Sequence, residues 1–308
     1  MLISEKLRLL GSYQDIPQTL TISAMTTELE LMLVSSEDYY QSMIDDIFPN
    51  IISEKFNYLN LLEVDFQWIC RCLRILSYGP ETTITAITCP DCGQVSYGEY
   101  KINFNSVGCS EIPNRLRSGR DVIYIGDNEF WYHLLTMKEV ISLSDQPDVH
   151  KLVSMICGYS HYIDDDIETK LYWVNKLSCA EYVILSSKLK EVSNLGLCDR
   201  GNVQCPKCFS KNSVFILPKD DKFFVRPWEL SNRDSETLNV QGKIKTFQEV
   251  RQQLYENIVD ETLFVSRASE GSVSAEWIMK QPVLIRKKYV DVFTKELKER
   301  ERSTKKHK

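Results

Sequence analysis

Apolar and polar positions alternate over residues 19–24 and then recur every three to four residues, in the stretch "QTLTISAMTTELELMLVS". Alternation predicts a strand with one buried face, and the later spacing predicts a helix. Thr26 and Thr27 stand at the junction, where a hydroxyl can take up an unpaired amide. Glu28 and Glu30 follow in the first turn, where a helix favours negative charge. The same order returns in "NEFWYHLLTMKEVISL", residues 128–143, as an alternating strand, a Thr-Met junction and a helix containing Glu139. This predicts a second, diverged copy of one strand-to-helix unit.

Between the two copies, "YLNLLEVDFQWICRCLRILSYGP" places Leu62, Phe66, Ile69, Leu73 and Leu76 on one helical stripe and ends on Gly79 and Pro80. Asp65, Arg71 and Arg74 fall away from the centre of that stripe, which predicts a solvated face or local ion pairs for them. Further helices are expected near residues 147–159 and over 167–195. In the second, Leu171, Val174, Leu177, Ala180, Val183 and Ile184 predict core packing. After Pro218 the chain is more polar, with loop punctuation at 231–234 and 271–274 and helices expected about 246–261 and 282–302. Tyr289, Val290, Phe293 and Leu297 mark one face of the last helix, which suits docking on a partner or on the chain's own body. Beyond Arg300 the basic end is expected to be disordered.

With 308 residues, 43% hydrophobic and 26% charged, the chain has room for two or three modest domains. No run approaches 18 consecutive apolar residues, and charges interrupt "MLISEKLRLL" where a signal peptide needs an apolar core. A cytosolic location without membrane insertion is therefore expected. Ten cysteines in a reducing compartment turn attention from disulfides to metal. Net charge is −6, but between Arg286 and Lys308 ten Lys and Arg face four Asp and Glu, a local +6 that leaves −12 elsewhere. An acidic body argues against nucleic acid as a partner outside that tail.

Spacing selects the cysteines that matter. "TAITCPDCGQVSYGEY" carries Cys89 and Cys92, and "RGNVQCPKCFSKNSVFILP" repeats the Cys-X-X-Cys spacing at Cys205 and Cys208. Four thiolates in two such pairs form the set that tetrahedral zinc prefers, so a structural Zn2+ is the expected cofactor. Strand-like residues flank both pairs, as in a zinc ribbon, although 112 residues separate Cys92 from Cys205. A redox dithiol would need a helix after the pair, and unligated turns are the remaining reading. Cys70, Cys72, Cys109, Cys157, Cys179 and Cys198 lack partner spacing and read as small buried hydrophobes. No phosphate loop, nucleophile elbow or histidine-based metal site is found, and the carboxylates of "YIDDDIE" read as a solvated loop or helix N-terminus. A non-enzyme without a small-molecule substrate is expected.

The fold class that follows is α+β: a mainly helical body with short strands and a split four-cysteine zinc ribbon interrupted by a helical insert. The expected divisions are an N-terminal strand-helix domain (1–84), a ribbon from 85–108 and 198–218, an insert (109–197) and a C-terminal helical extension with a basic tail (219–308). The order of strand, "T-x-E-L" helix, "R-I-L-S-Y-G" near a helix end and a Cys-X-X-Cys knuckle resembles the baseplate hub proteins of T4-like contractile-tailed bacteriophages. Asp65, Arg74, Tyr78, Gly79, Cys89 and Cys92 carry the likeness, and Cys205 and Cys208 continue it. "LGSYQD" is similar to a worn form of the Pro-Ser-containing opening of that family. The resemblance implies a structural or assembly protein of the virion, acting in the tail baseplate or in the host cytoplasm during assembly, with other baseplate proteins as partners. The alternative is a zinc-ribbon nucleic-acid-binding or transcription accessory protein, to which the basic Lys207 and Lys211 point.

Overall fold

The structure, a computed structural model, describes residues 4–89, 91–104, 112–117, 119–144, 146–163, 166–193, 195, 200–215 and 247–306. β1 (Ser4–Arg8) and β2 (Thr19–Ser23) form an antiparallel hairpin with Ser4 opposite Ser23. Alternation works as expected, with Leu20 and Ile22 buried between exposed or half-buried threonines. The Thr26 hydroxyl accepts from the Leu29 amide at 3.3 Å and starts α1 (Thr27–Ser35). α2 (Tyr39–Ser42), a π-helical turn (Met43–Ile47) and α3 (Phe48–Ile51) run on continuously. After a 3-10 turn (Tyr58–Asn60) comes α4 (Glu63–Tyr78), which buries Phe66, Ile69 and Leu73 completely. Gly79 ends it at φ 87°, in the region open to glycine at little cost.

β3 (Glu81–Thr88) and β4 (Val95–Asn103) make the first knuckle hairpin, and α5 (Asn114–Arg117) follows. β5 (Asp121–Ile125) and β6 (Asn128–Tyr132) lead into α6 (Met137–Ser142), opened by a capping box between Thr136 and Glu139. α7 (Asp148–Ser154) precedes β7 (Ile156–Tyr159) and β8 (Tyr162–Ile163), which complete a four-stranded antiparallel sheet in the order β5-β6-β7-β8. α8 (Ile167–Asn175) and α9 (Cys179–Ser193) lead to the second knuckle hairpin, β9 (Arg200–Gln204) and β10 (Lys211–Phe215). α10 (Phe247–Ala268), α11 (Ala275–Met279) and α12 (Val283–Lys306) close the chain. The class is α+β, as expected. No helix among the described residues is long and apolar enough to cross a membrane.

The two strand-to-helix units recur in three dimensions, each with a feature the pattern did not announce. Thr26 bridges Pro282, with Thr27 N donating to Gln281 O at 3.0 Å and Val283 N to Met25 O at 3.1 Å. Thr136 bridges Leu62 in the same way, with Glu63 N donating to Leu135 O and Met137 N to Leu61 O, both at 2.8 Å. Each bridge joins the starts of two helices, α1 with α12 and α6 with α4. First-turn amides that have no intrahelical partner are thereby satisfied by another segment's backbone. The C-terminal helices consequently belong to the body, packed on the N-terminal unit.

Several local expectations need correction. The insert holds a four-stranded sheet besides its helices, because the alternating residues 121–132 pair with 156–163. Its helix near 147–159 ends at Ser154, and the β-branched and aromatic residues of 156–159 join that sheet. The helix expected over 167–195 is broken at Lys176 to Ser178, where Ser178 and Glu181 cap each other and restart it. The restart shifts the apolar face, so Val183 (59%) and Ile184 (51%) are exposed while Leu185, Leu189 and Val192 are buried. Asp65, Arg71 and Arg74 are buried, not solvated. The basic end continues α12 to Lys306 instead of unravelling after Arg300, and the loop punctuation at 231–234 lies outside the described residues.

The three buried charges of α4 each hold a strand or loop. Asp65 accepts from Leu10 N (2.6 Å), Gly11 N (2.9 Å) and Tyr13 Oη (2.5 Å). A Cβ on Gly11 would lie 2.8 Å from Asp65 Oδ2, which explains why glycine stands in this opening loop. Burial raises the Asp65 pKa, against the opposing pull of these donors. Arg74 donates to Gly79 O (2.7 Å) and Glu81 O (3.0 Å) and lies over the Tyr78 ring, and Arg71 donates to Phe104 O. Arg74 therefore fixes the chain where it leaves α4 for the first knuckle hairpin, and Arg71 fixes it where it comes out of that hairpin.

Candidate metal centre

Each knuckle is a tight loop closed by backbone bonds of identical pattern. Cys89 N donates to Gln94 O at 3.0 Å and Gly93 N to Cys89 O at 2.8 Å. In the second, Cys205 N donates to Ser210 O and Phe209 N to Cys205 O, both at 2.9 Å. The residue after the second cysteine takes a left-handed conformation in both loops, Gly93 at φ 66° and Phe209 at φ 61°. Glycine accepts that conformation freely, whereas an aromatic side chain is strained there. Phe209 is therefore held by the loop it closes.

β4 lies beside β9, so the two hairpins present their tips to one point. The Sγ atoms of Cys89, Cys92, Cys205 and Cys208 all lie within 4.8 Å of one another. Cys89 Sγ is 3.5 Å from Cys208 Sγ, and Cys92 Sγ is 3.9 Å from Cys205 Sγ. A disulfide would require about 2.05 Å, whereas four sulfurs placed about 2.3 Å from a central tetrahedral ion stand about 3.8 Å apart. All four sequence-selected cysteines are thus gathered at a spacing compatible with one metal ion. One cysteine of each pair, Cys89 and Cys205, is buried, and Cys92 and Cys208 face outward.

Around the sulfurs stand groups that spacing did not single out. Ser210 Oγ is 3.0 Å from Cys208 Sγ and 3.4 Å from Cys89 Sγ, so one hydroxyl serves a sulfur from each knuckle. Lys207 Nζ donates to Gln94 Oε1 at 3.0 Å and ties the loops together from outside. The Ser210 hydroxyl, followed by its amide, lowers the Cys208 thiol pKa. The Gln94 amide acts the same way on Cys92, but burial and the other thiols push that group up to about 11. Four adjacent sulfurs cannot all ionise without a compensating cation, and a bound metal ion supplies that charge. With four protein ligands, a tetrahedral ion has no open position for water, so such a site holds structure and does not activate a nucleophile.

A second polar cluster, invisible to spacing, joins His133 to Glu139 and Cys157. His133 Nε2 lies 2.9 Å from Glu139 Oε1, while Glu139 Oε2 accepts from Thr136 N at 2.8 Å. Burial works to lower the His133 pKa, yet the Cys157 sulfur and the Glu139 carboxylate outweigh it and push the pKa up to about 9. Burial likewise works to raise Glu139, and His133 with the Thr136 amide brings it down to about 2. A raised histidine contributes fully below its unfolded value near 6.5 and loses that contribution as pH rises through about 9. The lowered glutamate contributes above about 4.5 and loses it as pH falls through about 2. Raising the pH from 6.5 to 9.5 should therefore lower stability more in the parent than in His133→Gln. The difference should be on the order of 1 kcal/mol after allowance for the partial exposure of Glu139. Urea unfolding midpoints across that range measure it; parallel profiles for the two proteins would remove the pair from the stability account.

Of the "YIDDDIE" carboxylates, Asp166 caps α8 by accepting from Thr169 N at 2.9 Å, as a helix N-terminus requires. Asp164 and Asp165 lie outside the described residues. Compared with models of protein families, with curated proteins and with solved structures, the chain matches none of them.

Proposed function

We propose that this chain is a structural or assembly protein of a contractile bacteriophage tail baseplate, of the hub region. In this reading Zn2+ is bound by Cys89, Cys92, Cys205 and Cys208, and the chain acts through protein interfaces without a reaction of its own. One observation carries the reading: four cysteines gather at the tips of two hairpins, although 112 residues separate Cys92 from Cys205. Zinc suits that donor set, being four-coordinate, redox-inert and served by thiolates.

The residues that carry the family resemblance support a scaffold role. Asp65 clamps the opening loop, Arg74 holds the exit of α4, and Tyr78 Oη donates to Glu30 Oε1 at 2.7 Å, beneath α12. They hold one segment against another, which is the work of a building piece. Mass spectrometry of purified tails and baseplate intermediates from infected cells tests the proposal. The chain should be present in fixed ratio to neighbouring baseplate proteins. A chain absent from every particle fraction, and recovered instead on DNA in a salt-sensitive manner, would contradict it in favour of the nucleic-acid reading.

A further inference from the structure

The first turns of α12 are anchored in the body, where Val283 and Arg286 are completely buried. From Asp291 to Ser303 its side chains are half-buried or exposed, although an apolar stripe continues through Val292, Phe293 and Leu297. Beside this stripe, α11 and α12 enclose an open groove of about 540 Å³, lined by Trp277, Ile285, Tyr289, Val292 and Phe293. Trp277 meets Tyr289 edge to face at 5.8 Å, and Tyr289 stacks on Phe293 at 6.1 Å. The wall is thus preformed, yet Trp277 remains 43% and Val292 44% exposed. Aromatic side chains fixed in such a groove are the usual anchors of a protein interface.

Charge identifies the occupant. Lys288 and Glu296 also line the groove, four residues before and four residues after Val292. Four residues make slightly more than one helical turn, so both lie on the Val292 face, about 6 Å to either side of it. Neither forms an ion pair with a described residue of its own chain. A two-fold axis through Val292 sets each Lys288 opposite the other copy's Glu296, so that one symmetry operation satisfies four charges. Interfaces between identical subunits are self-complementary in this way, and a parallel pairing would set lysine against lysine.

We propose that α12 is a self-association surface, on which two copies of this chain dock antiparallel with Val292 at the two-fold axis. The aromatic groove supplies the apolar contact, and the Lys288 and Glu296 pairs set direction and register. This inference does not depend on the baseplate reading. Sedimentation of the full chain across a range of concentrations tests it, with circular dichroism to verify folding. The parent should pass from monomer to dimer. Lys288→Glu alone and Glu296→Lys alone should each weaken dimerisation at least tenfold, since each places like charges in two contacts. The double variant K288E/E296K should dimerise like the parent, and so should an equimolar mixture of the two single variants. A parent that stays monomeric throughout, or a dimer indifferent to the single swaps, overturns the proposal.

Discussion

Cys205→Ser should lose the proposed metal and melt as a destabilised protein, with loosening that extends to the first knuckle, whose Cys92 lies 113 positions earlier in sequence. The unfolded chain cannot hold four distant thiolates together, so metal-binding free energy appears as folding free energy. For structural zinc in small domains this reaches about 10 kcal/mol. Removing one of four ligands forfeits a large part of it, and a loss of several kcal/mol is expected. Thermal unfolding gives the size of the effect, and amide hydrogen exchange gives its location. Exchange should accelerate in β3 and β4 as well as in β9 and β10, because the centre is the point where the two hairpins meet. Loosening confined to β9 and β10, with an unchanged melting temperature, would mean that the knuckles do not share an ion.

Arg286→Met should be nearly as damaging, for an electrostatic reason. Arg286 is completely buried on α12, with Nε 2.9 Å from Glu261 Oε2 of α10 and Nη1 2.7 Å from Glu30 Oε2 of α1. The second is a charge contact outside hydrogen-bond alignment. Burial works against the guanidinium charge, but Glu30 and Glu261 outweigh it and raise the pKa of Arg286. Methionine fills much of the same space yet leaves two carboxylates without a cation in the interior. Breaking a buried pair in this way costs about 3–5 kcal/mol, whereas replacing all partners by apolar groups is often neutral. The urea midpoint of Arg286→Met should therefore fall sharply, and adding Glu30→Leu and Glu261→Leu should recover much of the loss. Acid provides an internal check. The deficit comes from burying negative charge without a cation, so it should shrink in acid, where that charge is neutralised. A midpoint equal to the parent's at neutral pH would show that the cluster does not hold α12 in place.

Much of the candidate centre was legible in the sequence because cysteine ligation is written in local spacing. Cys89 with Cys92 and Cys205 with Cys208 repeat one three-residue interval, and each sits between alternating residues that become hairpin arms. The repeated unit was legible for a similar reason, since Thr26 and Thr136 cap helices through contacts only three residues long. What escaped was set by distant partners. Asp65 looked solvated on its helical wheel, yet its donors Leu10, Gly11 and Tyr13 lie more than fifty residues earlier. Arg286 sat among tail lysines in sequence, while Glu30 waits on the first helix of the chain. The Ser178 break was concealed because apolar residues continue through it, and a single new cap turned Val183 and Ile184 out to solvent. Ser210 had no signal beyond standing next to Phe209. Its role beside two sulfurs exists only once the knuckles meet.

Elemental analysis of the purified, thiol-reduced chain, combined with titration of its free thiols, tests the proposed zinc centre most directly. One zinc per chain is expected, with four thiols that become reactive only as the metal is chelated away. A folded chain that carries no stoichiometric metal and whose Cys92 and Cys208 react at once would contradict it.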